Sequence, residues 1–171
     1  MNDRDTRLVQ AAKAGSVDAV ERLFDRYWRP TWQTAYAITM RRDLADEVAQ
    51  EAWVRAMGAM SRFDERRPFR PWVMRIAANR AIDVLRDESR LVSLDGRVEQ
   101  AAEESQGSDD DLLDAVRGLG TERRLVVVLH YWLGMEVKEV GELLGIPAGT
   151  AASRLSRALE ELRHRLEVDH V

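Results

Sequence analysis

Residues 68–86 read PFRPWVMRIAANRAIDVLR, and from Trp72 onward they predict a helix with two unlike faces. At about 100° per residue the apolar residues fall on one side, which comprises Met74, Ala78, Ala81 and Leu85. The other side carries aromatic and polar residues, namely Trp72, Arg75, Asn79, Asp83 and Arg86. An aromatic ring, guanidinium groups and an amide are the groups that stack on bases and bind phosphates. Ordinary packing and solvation explain the same pattern, so this segment alone does not decide between them.

The preceding segment, residues 62–71, reads RFDERRPFRP and predicts an exposed loop. Its two prolines interrupt helical structure. Its arginines, its acidic pair and the phenylalanines Phe63 and Phe69 suit an exposed loop that holds an unstacked base.

A second signal lies in residues 136–166, EVKEVGELLGIPAGTAASRLSRALEELRHRL, which predict two helices joined by a tight turn. Gly145 permits a left-handed turn after the first helix, and Pro147 suits the opening of the second. The apolar stripe of the second helix is Ala151, Leu155, Ala158, Leu159, Leu162 and Leu166. This arrangement is typical of a helix-turn-helix motif, whose second helix reads the major groove of DNA with its N-terminal residues. The candidate contacts are Thr150, Ser153, Arg154 and Arg157, and an ordinary helical hairpin is the alternative.

Residues 43–61 predict a third helix of interest, with Asp43 as its N-terminal cap. Its inward stripe is Leu44, Val48, Ala52 and Ala56. Polar residues cluster early in the helix and mostly face outward: Asp46, Glu47, Gln50 and Glu51. The pattern alone favours a solvated face, with acids near the positive end of the helix dipole.

The charge of the chain is unevenly distributed. Its net charge is −4, yet residues 1–90 hold 17 basic and 14 acidic residues, and residues 91–111 hold 1 basic and 7 acidic residues. The acidic segment is rich in Ser and Gly with little periodicity, which predicts a flexible linker. We therefore expect two small domains, 1–90 and 112–171, joined by a linker at 91–111.

The predicted fold class is all-α, because no alternating strand of useful length is found. The run 125–129, LVVVL, is rich in β-branched residues, but it lies within a longer helical pattern and predicts a buried helix. The predicted helices span 4–14, 17–27, 30–41, 43–61, 71–88, 110–118, 121–133, 136–144 and 148–166.

Composition indicates a cytoplasmic protein without cofactor or metal. The 171 residues include no Cys, and no apolar run approaches the ~20 residues that span a bilayer. The N-terminus lacks the apolar segment of a signal peptide. The histidines His130, His164 and His170 have no metal-ligand spacing with nearby acids. Without a cysteine nucleophile or a phosphate-binding glycine loop, we expect that the chain is not an enzyme.

Together these segments resemble the sigma-70 family of bacterial transcription initiation factors. The closest resemblance is to its extracytoplasmic-function (ECF) group, which keeps only the second and fourth conserved sigma regions. The matching stretches occur in the family's order, at residues 14–27, 46–56, 69–83 and 147–155. The chain departs from the family at Ala152 and Leu159, where basic residues are common, and fewer positive charges should weaken phosphate attraction.

The resemblance implies a role for each segment. Residues 1–90 would be region 2 and residues 112–171 region 4. The chain would bind core RNA polymerase at its β′ clamp helices and its β subunit. The residues of this chain that would contact the clamp helices are Asp46, Glu47, Gln50 and Glu51. The −10 element of promoter DNA would be bound by Phe63, Arg66, Arg67, Phe69, Arg70, Trp72, Arg75, Asn79, Arg80 and Arg86. Thr150, Ser153, Arg154 and Arg157 would bind the −35 element, and an anti-sigma factor would be a further partner.

Two other classes of protein stay open on the sequence. A conventional transcriptional regulator would bind DNA through the helix-turn-helix without polymerase, often as a symmetric dimer. A sigma-like decoy would bind an anti-sigma factor but no promoter, and the basic and aromatic face of residues 72–86 argues against it.

Overall fold

The computed structural model describes the backbone of residues 3–95 and 115–168 and the side chains of residues 5–90 and 115–166. Within these ranges all regular structure is helical and no strand occurs, which confirms the all-α prediction. The chain divides into two compact units, Met1–Val98 and Glu99–Val171.

The first unit contains four helices, a single turn of 3-10 helix and a loop. The helices are α1 Asp3–Lys13, α2 Val17–Thr39, α3 Arg42–Ala59 and α4 Phe69–Asp95. The 3-10 turn Met60–Arg62 follows α3 and leads into the loop before α4. Helices α2, α3 and α4 pack pairwise, and their fully buried residues include Leu23, Ile38, Val48 and Val73.

Helix α2 is continuous through Pro30, so the predicted break between residues 27 and 30 is wrong. Proline removes one backbone hydrogen bond and usually kinks or ends a helix. Here α2 packs on α1, α3 and α4 along its length, and burial of its apolar face offsets that cost. The side chain of Thr34 donates to the Pro30 carbonyl at 2.9 Å. The helix ends at Thr39, and Met40 follows as its C-terminal cap with a left-handed φ of 56°.

The bounds of α3 and α4 differ from the prediction. Asp43 is not the N-terminal cap of α3, because it lies inside the helix and Arg41 occupies the cap position. The Asp43 carboxylate instead pairs with Arg41 at 2.7 Å. Helix α4 starts at Phe69, since Pro71 falls in its first turn, where no backbone donor is required. It also continues to Asp95, which is five residues into the predicted linker. The rest of that linker prediction, 96–111, lies outside the described residues.

The second unit contains α5 Thr121–Val127, a π-helical turn Val128–Trp132, α6 Val137–Leu144 and α7 Ala148–Val168. Residues 115–117 are also helical, and the start of the predicted helix 110–118 lies outside the described residues. The β-branched run is helical and mostly buried as predicted, with Val126, Val127, Val128 and Leu129 in the core. Helices α6 and α7 form the predicted pair around Gly145, whose φ is 69°.

Candidate nucleic-acid and protein interfaces

Helix α4 has the two faces that its sequence predicts. Met74, Ala78 and Ala81 are buried, and Leu85 is half-buried. The polar residues Arg75, Asn79, Asp83 and Arg86 are exposed, beside a half-buried Trp72. An amide, guanidinium groups and a half-buried indole therefore lie along one side of the helix. We call this surface, formed by Trp72, Arg75, Asn79 and Arg86, the α4 face.

The phenylalanines of the loop are not exposed, so this part of the prediction is wrong. Phe63 and Phe69 are only 5% and 2% exposed. The Phe63 ring lies 4.5 Å from Trp72 and 5.7 Å from Phe69, between ring centroids. Burial of an apolar ring in this core stabilises the fold by roughly 25 cal/mol per Å² of area removed from water, and a ring on the loop surface would not contribute this stabilisation. Phe63 and Phe69 support Trp72 from beneath, and Trp72 is the ring of this cluster that solvent reaches.

The arginines of the loop do point into solvent. The side chains of Arg66 and Arg67 are 90% and 78% exposed, and Arg70 is exposed as well. Asp64 fixes the turn, because its Oδ1 accepts from Nε of Arg66 at 2.9 Å and from the Arg66 backbone at 3.1 Å. The hydrogen bond from the Arg66 side chain, followed by that from its backbone, lowers the pKa of Asp64 to about 2. The loop therefore carries outward positive charge on an ordered turn.

Arg80, another of the predicted promoter contacts, is half-buried and paired within the first unit. Its side chain is 20% exposed and donates from Nε to the carboxylate of Glu51 on α3. Glu51 is itself one of the predicted polymerase contacts, so the structure pairs a residue of one proposed interface with a residue of the other.

The polar face of α3 is largely exposed. Asp46, Glu47 and Gln50 are exposed, whereas Glu51 is half-buried. Oδ1 of Asp46 accepts a hydrogen bond from Nε1 of Trp32 at 2.6 Å.

An apolar groove lies beside this face, between α2 and α3, and sequence reasoning missed it. The groove has a volume of about 440 Å³ and is lined mainly by Val20, Phe24, Trp53, Val54 and Met57. The Val54 side chain is 72% exposed, and Nε1 of the buried Trp53 has no hydrogen-bond partner. Adjacent exposed apolar side chains make this groove a candidate for a protein contact. A signal was present, because Val54 follows Gln50 by one helical turn and places an apolar residue on the outward side.

The predicted DNA contacts of the helix-turn-helix differ in their exposure to solvent. Ser153 and Arg157 are exposed near the start of α7, and Thr150 is half-buried. Arg154 is half-buried because Nη2 donates to Oε1 of Glu122 on α5 at 2.8 Å. Ser153 donates to the Thr150 carbonyl at 3.0 Å. Four residues of the predicted apolar stripe are buried, namely Ala151, Leu155, Ala158 and Leu162, whereas Leu159 and Leu166 are half-buried.

Close packing inside the turn depends on Gly141, which sequence reasoning also missed. A Cβ at this position would lie 2.9 Å from the Ile146 carbonyl oxygen and 3.3 Å from the Ala148 backbone. Glycine within a helix costs up to about 1 kcal/mol, so its presence in α6 was a signal of close backbone approach.

Comparisons with known proteins agree with this arrangement. The chain matches the families described as Sigma-70 region 2, over residues 23–91, and Sigma-70 region 4, over residues 109–162. It is 33% identical to the ECF RNA polymerase sigma factor SigW of Bacillus subtilis, with 92% of this chain and 94% of that protein covered. It is 34% identical to the RNA polymerase sigma factor CarQ of Myxococcus xanthus, with 89% and 91% covered.

Solved structures share the fold. The chain is similar to CnrH in its complex with the cytosolic domain of CnrY, with a TM-score of 0.62, 28% identity, and 98% and 99% of the two chains covered. The sigma factor RpoE of Bartonella quintana, solved with the anti-sigma factor NepR, gives a TM-score of 0.66 at 21% identity, covering 90% and 99%. The resemblance predicted from the sequence is thereby confirmed, and this chain belongs to the sigma-70 family of RNA polymerase sigma factors, within its ECF group.

Proposed function

We propose that this chain binds core RNA polymerase and directs it to promoters by recognising −10 and −35 elements. The observation that carries the proposal is the open α4 face, where Trp72, Arg75 and Asn79 lie together above a buried apolar side. An exposed basic and aromatic surface of this kind suits separated strands, whose bases can stack and whose phosphates need cations.

The −10 strand would be held between the α4 face and the loop before it. Arg66, Arg67 and Arg70 would attract the backbone, and Trp72 would stack on a base. Phe63 and Phe69 act from below by supporting Trp72 and do not touch DNA. Capture of a flipped base offsets part of the few kcal/mol needed to unstack it. Arg80 would join only after it releases Glu51.

The −35 element would be read by the first turns of α7. Arg157 and Ser153 are exposed there, whereas Arg154 must exchange Glu122 for DNA. Ala152 is exposed at the same surface and offers no cation. Since each phosphate contact adds to the salt dependence of binding, we expect this helix-turn-helix to show a shallow salt slope.

The clamp of the polymerase β′ subunit would bind the polar face of α3 together with the groove beside it. Glu47 and Gln50 supply charge and hydrogen bonding toward a basic partner, which favours fast encounter. Phe24, Val54 and Met57 supply the apolar contact that gives such an interface its stability. The β subunit would contact the second unit.

An anti-sigma factor is a further proposed partner. The similarity to CnrH, a protein solved with the cytosolic domain of another protein, supports regulation by a bound polypeptide. The chain would act in the cytoplasm, and the chemistry of RNA synthesis would belong to the polymerase. Among the described residues, no helix is both long enough and apolar enough to cross a membrane.

Run-off transcription with purified core RNA polymerase and fragments of the source genome tests the proposal. Transcripts that start at defined sites only when the chain is present support it, and failure to start at any site contradicts it. A gel shift without polymerase separates the sigma factor from a conventional regulator. Tight, sequence-specific binding by the isolated chain would favour the regulator.

A further inference from the structure

Helix α1 holds the loop before α4 from its inner side. Nζ of Lys13 donates to the Phe63 carbonyl at 3.1 Å and pairs with Oε1 of Glu65 at 2.9 Å. Nε2 of Gln10 donates to Oε2 of the same carboxylate at 3.0 Å. Both oxygens of Glu65 and the first carbonyl of the loop are therefore bound to one helix.

The loop residues bound to α1 are less exposed than the neighbouring arginines. The Lys13 and Glu65 side chains are only 24% and 32% exposed, in contrast to the neighbouring side chains of Arg66 and Arg67. Partial burial makes a charge-assisted hydrogen bond stronger than it is on an open surface. The side chains that face α1 set the position of the loop, while Arg66 and Arg67 stay exposed beside Asp64, with which Arg66 is paired.

Helix α1 can serve as a fixed support because it is anchored elsewhere. The carboxylate of Asp5 accepts hydrogen bonds from Arg26 and from the Tyr27 hydroxyl on α2. Leu8 and Val9 of α1 are buried against the rest of the unit. Movement of the loop away from α1 therefore breaks the bonds to Glu65 while α1 stays in place.

We infer that Gln10 and Lys13 act through Glu65 as positioning residues that hold loop 63–68 in the conformation that captures the −10 strand, without touching DNA. This inference rests on the proposed function of the loop. It assigns α1 a part in promoter opening that is separate from polymerase binding.

The variant Lys13→Met tests the inference, because it keeps the length of the side chain and removes all of its donors. We expect about a tenfold loss of open complex, measured by permanganate reactivity with core polymerase on a promoter found by run-off transcription. Affinity for core polymerase should be unchanged. Lys13→Arg, which can still donate to both partners, should restore opening, and Gln10→Ala should have a smaller effect. Arg22→Ala is the matched control, since it removes an ion pair with Asp18 within α2 that involves no residue of the loop.

Limited trypsin digestion of the full-length chain gives a readout that needs no promoter. Release of the loop in Lys13→Met should speed cleavage after Arg66 several-fold relative to wild type and to Arg22→Ala. Unchanged cleavage after Arg66 overturns the inference, and so does normal opening by Lys13→Met where wild type is active. Absence of any transcript with the wild-type chain instead contradicts the proposed function itself.

Discussion

Arg80 on α4 donates a hydrogen bond from Nε to Oε2 of Glu51 on α3, while Arg55 donates to Oε1 of the same carboxylate at 2.6 Å. The bond from Arg80 is the main reason that the pKa of Glu51 lies below its ordinary value of 4.5. The carboxylate is thus charged at neutral pH. It joins the helix proposed to bind polymerase to the helix proposed to bind the −10 strand.

The first prediction concerns this pair. Glu51→Ala and Arg80→Ala should each destabilise the first unit, and the double variant should lose less than the sum. We expect a coupling free energy of about 0.5–1 kcal/mol, because the pair is partly exposed and solvent screens it. Urea unfolding of the four chains of the cycle measures the coupling. Strict additivity would show that the hydrogen bond does not join the helices in solution.

The second prediction tests the apolar groove. Val54→Glu should weaken binding to core RNA polymerase by tenfold or more while leaving thermal stability unchanged, because the side chain is exposed in the free chain. The matched control is Val17→Glu, since Val17 is 70% exposed but does not line the groove. Fluorescence anisotropy with labelled chain gives both affinities. Equal effects of the two substitutions would exclude a specific contact at the groove.

The third prediction concerns the turn between α6 and α7. Gly141→Ala should destabilise the second unit by about 1–3 kcal/mol, because the new Cβ meets backbone atoms that cannot move independently. Gly149→Ala in the same motif places its Cβ in open space and should be neutral or slightly stabilising. Hydrogen exchange at the amides of α6 and α7 in the full chain reports both changes. A neutral Gly141→Ala would mean that the turn relaxes freely.

The fourth prediction is a pH dependence. Burial, followed by the hydrogen bond to Asp5, raises the pKa of Tyr27 from 10.0 to about 12. A raised pKa favours the neutral hydroxyl in the folded state, so its stabilising contribution is complete below pH 10 and is lost as the pH rises through 12. Because the tyrosinate form absorbs at 295 nm, the raised pKa also predicts an absorbance step near pH 12. Tyr27→Phe should remove that step. If that step persists in the variant, another group is responsible for it.

Much of this structure follows from periodicity, and the failures have physical causes. The inward stripe of α3 is buried as predicted, and most of the stripe residues of α4 and α7 are buried as well, since the helical repeat places these residues on one side. Pro30 predicted a helix boundary, but packing of α2 on α1, α3 and α4 outweighs its local cost. Phe63 and Phe69 lie beside prolines and arginines in the sequence, which hides their place in the core. The bonds to Glu65 join residues far apart in the chain, and no local pattern reveals such contacts. For the groove, the outward Val54 on α3 was the one local sign, but its partners on α2 are distant in sequence.

The fifth prediction concerns the α4 face. Asn79→Ala should reduce transcription by about tenfold, because removal of one hydrogen-bond partner leaves the other group unpaired at a cost of about 1–3 kcal/mol. Ser89→Ala, which likewise removes an exposed neutral polar side chain from α4, is the matched control. Run-off transcription at saturating polymerase separates opening from assembly. Equal losses in both variants would show that Asn79 makes no specific contact with the −10 strand.

The central claim is that the first unit opens the −10 element while the second unit binds the −35 element. Its most direct test combines permanganate reactivity with DNase I protection on one complex of chain, core polymerase and duplex promoter. We expect reactive thymines at the −10 element and protection at the −35 element, with reactivity lost in Asn79→Ala and protection retained. Reactive thymines that persist in Asn79→Ala, or strong protection by the chain alone with no strand opening when polymerase is added, would contradict it.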